Sequence, residues 1–181
     1  RFVFFDLEKS ALENVDIYAK QIRLSTSVEI HHTDSLKSTI ELLPSLPTSS
    51  FIHIDPYEID KKGGSGVTYL DVLIQATLLG MKCLLWYGFM TGDDKASLDN
   101  YITSSLEKAG IKDYTGVELT MNSIRKDSVL CNPGILGSGI LATNVSQTSK
   151  DIILDYSNQL VDIYKDAKYK DYDGSLYIQH L

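Results

Sequence analysis

Phe51-Ile52-His53-Ile54-Asp55-Pro56-Tyr57-Glu58 is the stretch on which the reading of this chain turns. It opens as a short apolar strand and stops at Asp55, because Pro56 has no amide proton to give to a ladder. An acid, a proline and an aromatic at the carboxyl end of a buried strand sit where open α/β sheets place their chemistry. Upstream, Pro44 to Ser50 reads as a loop, and before it Leu36, Ile40 and Leu43 mark a helix that Asp34 can cap. Val28-Glu29-Ile30 is a short strand. Ala11, Val15, Tyr18 and Ile22, with Leu12 and Ala19 beside them, recur at helical spacing. Arg1 to Leu7 is a strand ending at Asp6.

Downstream, Lys61 to Gly66 is a glycine-rich loop read as flexible, followed by a helix marked by Val67, Leu70, Ile74 and Leu78 with Gly80 as its C-cap. Lys82 to Tyr87 is nearly all apolar, as a strand covered on both faces should be. Asp93 or Asp94 starts a helix through Leu98, Ile102, Leu106 and Ala109 that Gly110 closes. Tyr114 to Asn122 and Leu136 to Val145 read as an antiparallel pair at one edge. A last helix carries Ile152, Tyr156, Leu160 and Ile163, and Ser175 to Gln179 forms a final strand. Strands alternating with helices imply a mostly parallel α/β sheet with right-handed crossovers and helices on both faces.

At 181 residues the chain reads as a single domain spanning 1–181. It begins with Arg1 and enters a core strand at once, so further residues are expected upstream. The net charge of −7 argues against a broad basic face for nucleic acid. Any such contact would use a local patch: Lys61-Lys62, Arg125-Lys126 or the Lys165/Lys168/Lys170 run. Cys83 and Cys131 have no CxxC spacing and read as buried thiols of a reducing, cytoplasmic compartment. No apolar run approaches the ~18 residues a membrane helix needs.

The layout resembles the Rossmann-like class I methyltransferases that use S-adenosylmethionine, and within them the RlmJ-type ribosomal RNA adenine-N6 methyltransferase family. Phe5-Asp6-Leu7-Glu8-Lys9-Ser10 falls at that family's acidic strand end and helix start. Thr33-Asp34-Ser35 falls at its Ala-Asp-Gly turn and Ile54-Asp55-Pro56-Tyr57-Glu58 at its Ile-Asp-Pro-Pro-Tyr-Glu. Leu85-Trp86-Tyr87, Gly110-Ile111 and Gly137-Ser138-Gly139 match its later landmarks. Two departures are visible: this chain has one proline fewer after Asp55, and Asn144-Val145-Ser146-Gln147 stands where the family shows Asn-Pro-Pro-Trp. The family's first strand and Gly-rich cofactor loop lie upstream of Arg1, and that strand sits between those ending at Asp6 and Asp55. Without it, the two either pair directly or both expose open edges.

The resemblance implies S-adenosylmethionine as cofactor, with Asp6 at its ribose hydroxyls and Asp34 at its adenine amine. It implies Asp55 and the Pro56 carbonyl as acceptors for a target N6 amine and Tyr57 as a stacking face, with RNA favoured over DNA as substrate. Each has a plainer alternative: helix caps at Asp6 and Asp34, and a strand-ending turn at Asp55-Pro56. Gly63-Gly64-Ser65-Gly66 lacks the lysine and spacing of a P-loop and reads as a lid beside Asp55 or a simple linker. His31 and His32 point to opposite faces of a strand and cannot chelate together. His53 reads as a core or edge histidine, and no metal site is expected. Two other readings stay open: a non-catalytic module that binds protein or nucleic acid, and a flavodoxin-like regulator, which would need phosphate loops not found here.

Overall fold

β1 (Phe2–Asp6) and β2 (Val28–His32) make a two-stranded parallel sheet in which Phe2 lies opposite Val28 and Asp6 opposite His32. The computed structural model describes residues 1–56, 58–123, 137–169 and 172–181. Between these strands, α1 (Lys9–Gln21) packs against both and buries Leu12 and Ala19, leaving Tyr18 and Ile22 largely exposed. α2 (Ser35–Leu42) is capped as expected: the Asp34 carboxylate accepts from the Leu36 amide at 2.9 Å.

The second sheet has five strands in the order β3-β4-β6-β5-β9. β3 (Phe51–Ile54) pairs in parallel with β4 (Lys82–Phe89). β6 (Gly137–Thr143) runs antiparallel to both β4 and β5 (Tyr114–Met121), and β9 (Leu176–His180) runs antiparallel to β5. Hence β3, β4 and β5 point one way and β6 and β9 the other. This is a mixed, Rossmann-like α/β architecture. The antiparallel partner expected at an edge is instead interior: β6 inserts between β4 and β5, and β9 forms the rim. A two-residue pair, β7 (Lys168–Tyr169) with β8 (Tyr172–Asp173), precedes β9.

The core lies under β3 and β4, where α3 (Tyr69–Leu78) and α4 (Gly92–Lys108) bury Leu70, Leu73, Ala76, Ile102 and Leu106. The predicted stripe of α3 faces inward except at its last residue: Leu70 is fully buried and Val67 and Ile74 pack against the core, while Leu78 is 63% exposed. Val72, Leu73 and Ala76, outside that stripe, are buried as well, so the helix is covered on more than one side. Its start is fixed by a capping box between Thr68 and Asp71, and Gly80, at φ +84°, ends it in the left-handed region glycine allows. α4 begins at Gly92, one residue before Asp93 and two before Asp94, since Thr91 is the cap that accepts from the Asp94 amide. α5 (Gln147–Ile163) packs on β5 and β9, and it presents an unexpected face. Ile152, Tyr156, Leu160 and Ile163 are exposed and Ser157 is buried.

β1 and β3 do not pair. Among the described residues β1 bonds to β2 and β3 to β4, and the two sheets share no ladder, which leaves one edge of β1 and one of β3 without a strand partner there.

Candidate functional site

Those two edges face a common cavity of about 650 Å³, which follows β1 from Arg1 to Leu7 and β3 from Ser50 to Pro56. Leu36 and Leu42 of α2, with Leu46 and Val72, also line it. Asp6 and Asp55 end the two strands and so occupy one rim of this cavity, with Pro56 beside Asp55. The chain after β2 returns to the same rim, because the Thr33 amide donates to the Asp6 carbonyl at 3.1 Å. Asp34 follows, and its neighbours Ser35 and Leu36 line the cavity. Of the three acids singled out from the sequence, Asp6 and Asp55 line the cavity, while Asp34 is not among its lining residues and adjoins it through Ser35 and Leu36.

The plainer roles of two of them are also present. One oxygen of Asp6 accepts from the Glu8 amide at 2.7 Å, ordering the turn into α1. One oxygen of Asp34 caps α2. A carboxylate has two oxygens and about four lone-pair sites, so a cap bond leaves capacity for a ligand hydroxyl or amine. Tyr57 lies outside the described residues, as do Arg125, Lys126, Cys131 and Lys170. Lys61 is drawn to Glu58 at 3.0 Å.

The loop after Asp55 is tied down. Ile59 is fully buried and its carbonyl accepts from Leu70, and the Gly63 amide donates to Val67. Gly63 comes close to the start of α2: a Cβ there would meet Leu36 Cδ1 at 2.8 Å and Asp34 Oδ2 at 3.6 Å. The stretch is a packed connection rather than a free linker. His53 is exposed on the cavity wall, and His32 meets the Leu7 carbonyl at 2.9 Å. His31 stacks on Phe5 with centroids 5.1 Å apart. Among the described residues no cluster of His, Cys, Asp or Glu is arranged to hold a metal. Cys83 is fully buried and unbridged, and burial pushes its thiol pKa up.

Asn144, where the family motif would have continued, does structural work at the opposite end of the sheet. With φ +53° it donates to the Thr77 and Met81 carbonyls at 2.8 and 2.9 Å, closing the end of α3.

Sequence reasoning missed a buried polar cluster near the carboxyl end of β4. The Glu118 side chain is 1% exposed and accepts from the Tyr87 hydroxyl at 2.7 Å. Lys95 bridges Glu118 to Asp99, the latter at 2.7 Å, and lies 5.7 Å from the centre of the Phe89 ring. Burial is the largest influence on Glu118 and raises its pKa, against the lowering effect of Lys95. Burial alone would lower the Lys95 pKa, but its hydrogen bonds to Asp99 and Glu118 outweigh that and raise it. Tyr87 is held strongly protonated, by burial first and then by the neighbouring Glu118 charge. The signal in the sequence was a glutamate in an otherwise inward-facing run of β5, flanked by Val117 and Leu119. The Gly137-Ser138-Gly139 landmark serves this cluster. A Cβ at Gly139 would sit 2.3 Å from Tyr87 and one at Gly137 2.2 Å from Phe89, so both rings rest on bare backbone.

No family model and no curated protein sequence matches the chain. Solved structures do. A Legionella pneumophila protein described by a domain family of unknown function superimposes with a TM-score of 0.66 at 17% identity. The match covers 100% of this chain and 60% of that one, so the chain spans about three-fifths of its neighbour's length. A precorrin-8w decarboxylase from Methanobacterium thermoautotrophicum matches at a TM-score of 0.46 and 14% identity, over 80% of this chain and 70% of that one. A Clostridium thermocellum protein whose rRNA-methylase assignment is provisional matches at 0.46 and 12%, over 79% and 74%. The Legionella likeness shows a shared Rossmann-like α/β fold. Among the described residues no helix is long and apolar enough to cross a membrane.

Proposed function

We propose that this chain forms most of a class I methyltransferase domain that binds S-adenosylmethionine and methylates an adenine N6 amine, in RNA rather than DNA, in the cytoplasm. The observation that carries the reading is that Asp6 and Asp55, ending β1 and β3, share one cavity rim with Pro56, with Asp34 adjoining it at the head of α2. When bound, S-adenosylmethionine supplies an electrophilic methyl group. In this proposal Asp6 accepts from the cofactor's ribose hydroxyls and Asp34 from its adenine amine, each through the oxygen its cap bond does not use.

The target amine is a poor nucleophile because its lone pair is delocalised into the ring. The Asp55 carboxylate and the Pro56 carbonyl would accept its two protons in hydrogen bonds and favour a pyramidal nitrogen, and Tyr57 would stack on the base. In the complete protein, Asp55→Ala is expected to lower methyl transfer by ~100-fold or more while cofactor binding by calorimetry persists. Unchanged turnover removes the role given to Asp55.

A second reading, a non-catalytic module that binds protein or nucleic acid, is favoured by the net charge of −7 and by the open division between β1 and β3. Calorimetry separates the two readings. Micromolar binding of S-adenosylmethionine contradicts the non-catalytic one, and absence of binding by the complete protein contradicts the methyltransferase one.

A further inference from the structure

We infer that Glu118 and Asp99 hold a single proton between them and that its loss frees the first half of α4 from the sheet, so that the buried cluster behind β4 acts as a pH-sensitive clasp. The inference is independent of the methyltransferase reading. It begins with charge. Lys95 and Asp99 stand one turn apart on α4, and the Lys95 ammonium bonds one oxygen of Asp99 at 2.7 Å and one of Glu118 on β5. With both acids ionised, one ammonium against two carboxylates leaves an excess negative charge where the Glu118 side chain is 1% exposed. A buried excess of this kind is relieved by taking up a proton. The hydrogen bonds show the same deficit. Of the four carboxylate oxygens, two accept from Lys95 and a third from the Tyr87 hydroxyl at 2.7 Å. The fourth, Asp99 Oδ1, is buried with no donor among the described residues. The two carboxyls lie within hydrogen-bonding reach of each other, so a proton carried by Glu118 supplies the missing donor.

The neighbours on each element leave the pair as the group that titrates. From β4 comes Tyr87, held protonated by burial first and then by the Glu118 charge. From α4 comes Lys95, whose pKa burial would lower but whose bonds to Asp99 and Glu118 raise it overall, so it stays charged. β6 offers bare backbone at Gly137 and Gly139, and β9 sets Gln179 opposite Glu118 and Tyr177 opposite Thr120. Burial is the main influence holding a proton on Glu118, and Asp99 adds to it against the pull of Lys95 and Tyr87. The proton belongs to the pair rather than to either residue. Its loss sets two carboxylates around one ammonium with little water to share the charge. Relief lies at α4, because Lys95 and Asp99 sit in its first half while buried Ile102 and Leu106 anchor its second. That first half also carries Tyr101, whose hydroxyl meets Thr68 at the head of α3 at 2.9 Å.

The test follows the carboxyl carbons of Glu118 and Asp99 by NMR as pH is raised, with amide hydrogen exchange measured in parallel. At pH ~7, where ordinary carboxyls are ionised, the two signals are expected to report one proton between them, and at higher pH to move together in one step. The folded chain binds this proton more tightly than the unfolded one. Stability is therefore full below the ordinary 4.5 of Glu118 and is lost as pH rises through the joint step. Above that step, exchange in residues 92–101, corrected for its intrinsic pH dependence, is expected to speed by about tenfold per pH unit, and that in 102–108 by less than about threefold. Glu118→Gln, whose amide can donate to Asp99 as the protonated acid does, is expected to unfold cooperatively in urea and to lose both the step and the acceleration. Asp99→Asn, which leaves Glu118 ionised against Lys95, should lose them too. If either variant fails to fold, the titration of the unaltered chain decides. Two carboxyls ionised at pH ~7 overturn the inference, as do separate titrations or a proton kept until global unfolding. A joint step that leaves 92–101 unchanged, or that speeds all of α4 equally, overturns it as well.

Discussion

Lys95→Met is the substitution that most directly tests the buried cluster behind β4. It keeps an unbranched apolar side chain, one atom shorter, and removes the charge that faces Glu118 and Asp99. Glu118 is 1% exposed and the Lys95 side chain 10%, so water cannot take the ammonium's place. Removing one partner of a buried ion pair strands the other and costs about 3–5 kcal/mol. For a chain of this size each kcal/mol moves Tm by about 2–4 °C, so the expected drop is about 6–20 °C. The pH dependence has a definite sign. The folded pKa of Glu118 lies above its ordinary 4.5, so its contribution is full below that value and is lost as pH rises through the folded pKa. The variant raises the folded pKa further, because the lysine no longer holds it down. Its penalty by urea denaturation is therefore expected to be smaller near pH ~5 than near pH ~8. Lys95→Met with Glu118→Gln should recover part of the loss by removing both charges. A penalty under ~1 kcal/mol at both pH values would refute the reasoning, since it would mean the pair is solvated.

Gly139→Ala places a methyl group 2.3 Å from the Tyr87 ring, and overpacking of this kind is expected to cost about 1–3 kcal/mol in urea denaturation. Asn144→Ala loses two hydrogen bonds at a positive φ, with an expected cost of about 2 kcal/mol by the same measurement. The orientation of α3 separates two leucines: Leu73→Ala should cost about 2–5 kcal/mol and Leu78→Gln less than about 0.5, and equal effects would mean the helix is turned otherwise.

What the sequence made legible was local chemistry. Asp34 caps because a short acceptor stands before an apolar helical run, and Gly80 and Gly110 end helices because their φ values of +84° and +71° suit no other residue well. Strand ends at Asp6 and Asp55 follow from the break in apolar pattern and from Pro56. Arrangement in space was less legible. Nothing local distinguishes a strand at the rim from one inserted between neighbours, so the place of β6 between β4 and β5 did not emerge from its residues. Helices rich in apolar side chains on several faces offer more than one inward side: in α5 tertiary packing chose one that spacing did not, and in α3 it buried residues beyond the predicted stripe while leaving Leu78 out. The burial of Glu118 depends on Tyr87 and Lys95, which come from other elements and meet it only in the folded chain. The acids of the rim were readable as strand ends, but their shared cavity depends on the gap between the two sheets.

That gap also divides the order in which the molecule should come apart. Among the described residues the unit β1-α1-β2 shares no strand ladder with the rest and meets it mainly where β1 rests on α2. Stability need not be uniform across such a chain, and weakly coupled units open below the global free energy. Residues 2–32 should therefore melt as an early, separate cooperative step, while the sheet from β3 to β9 holds until a second transition.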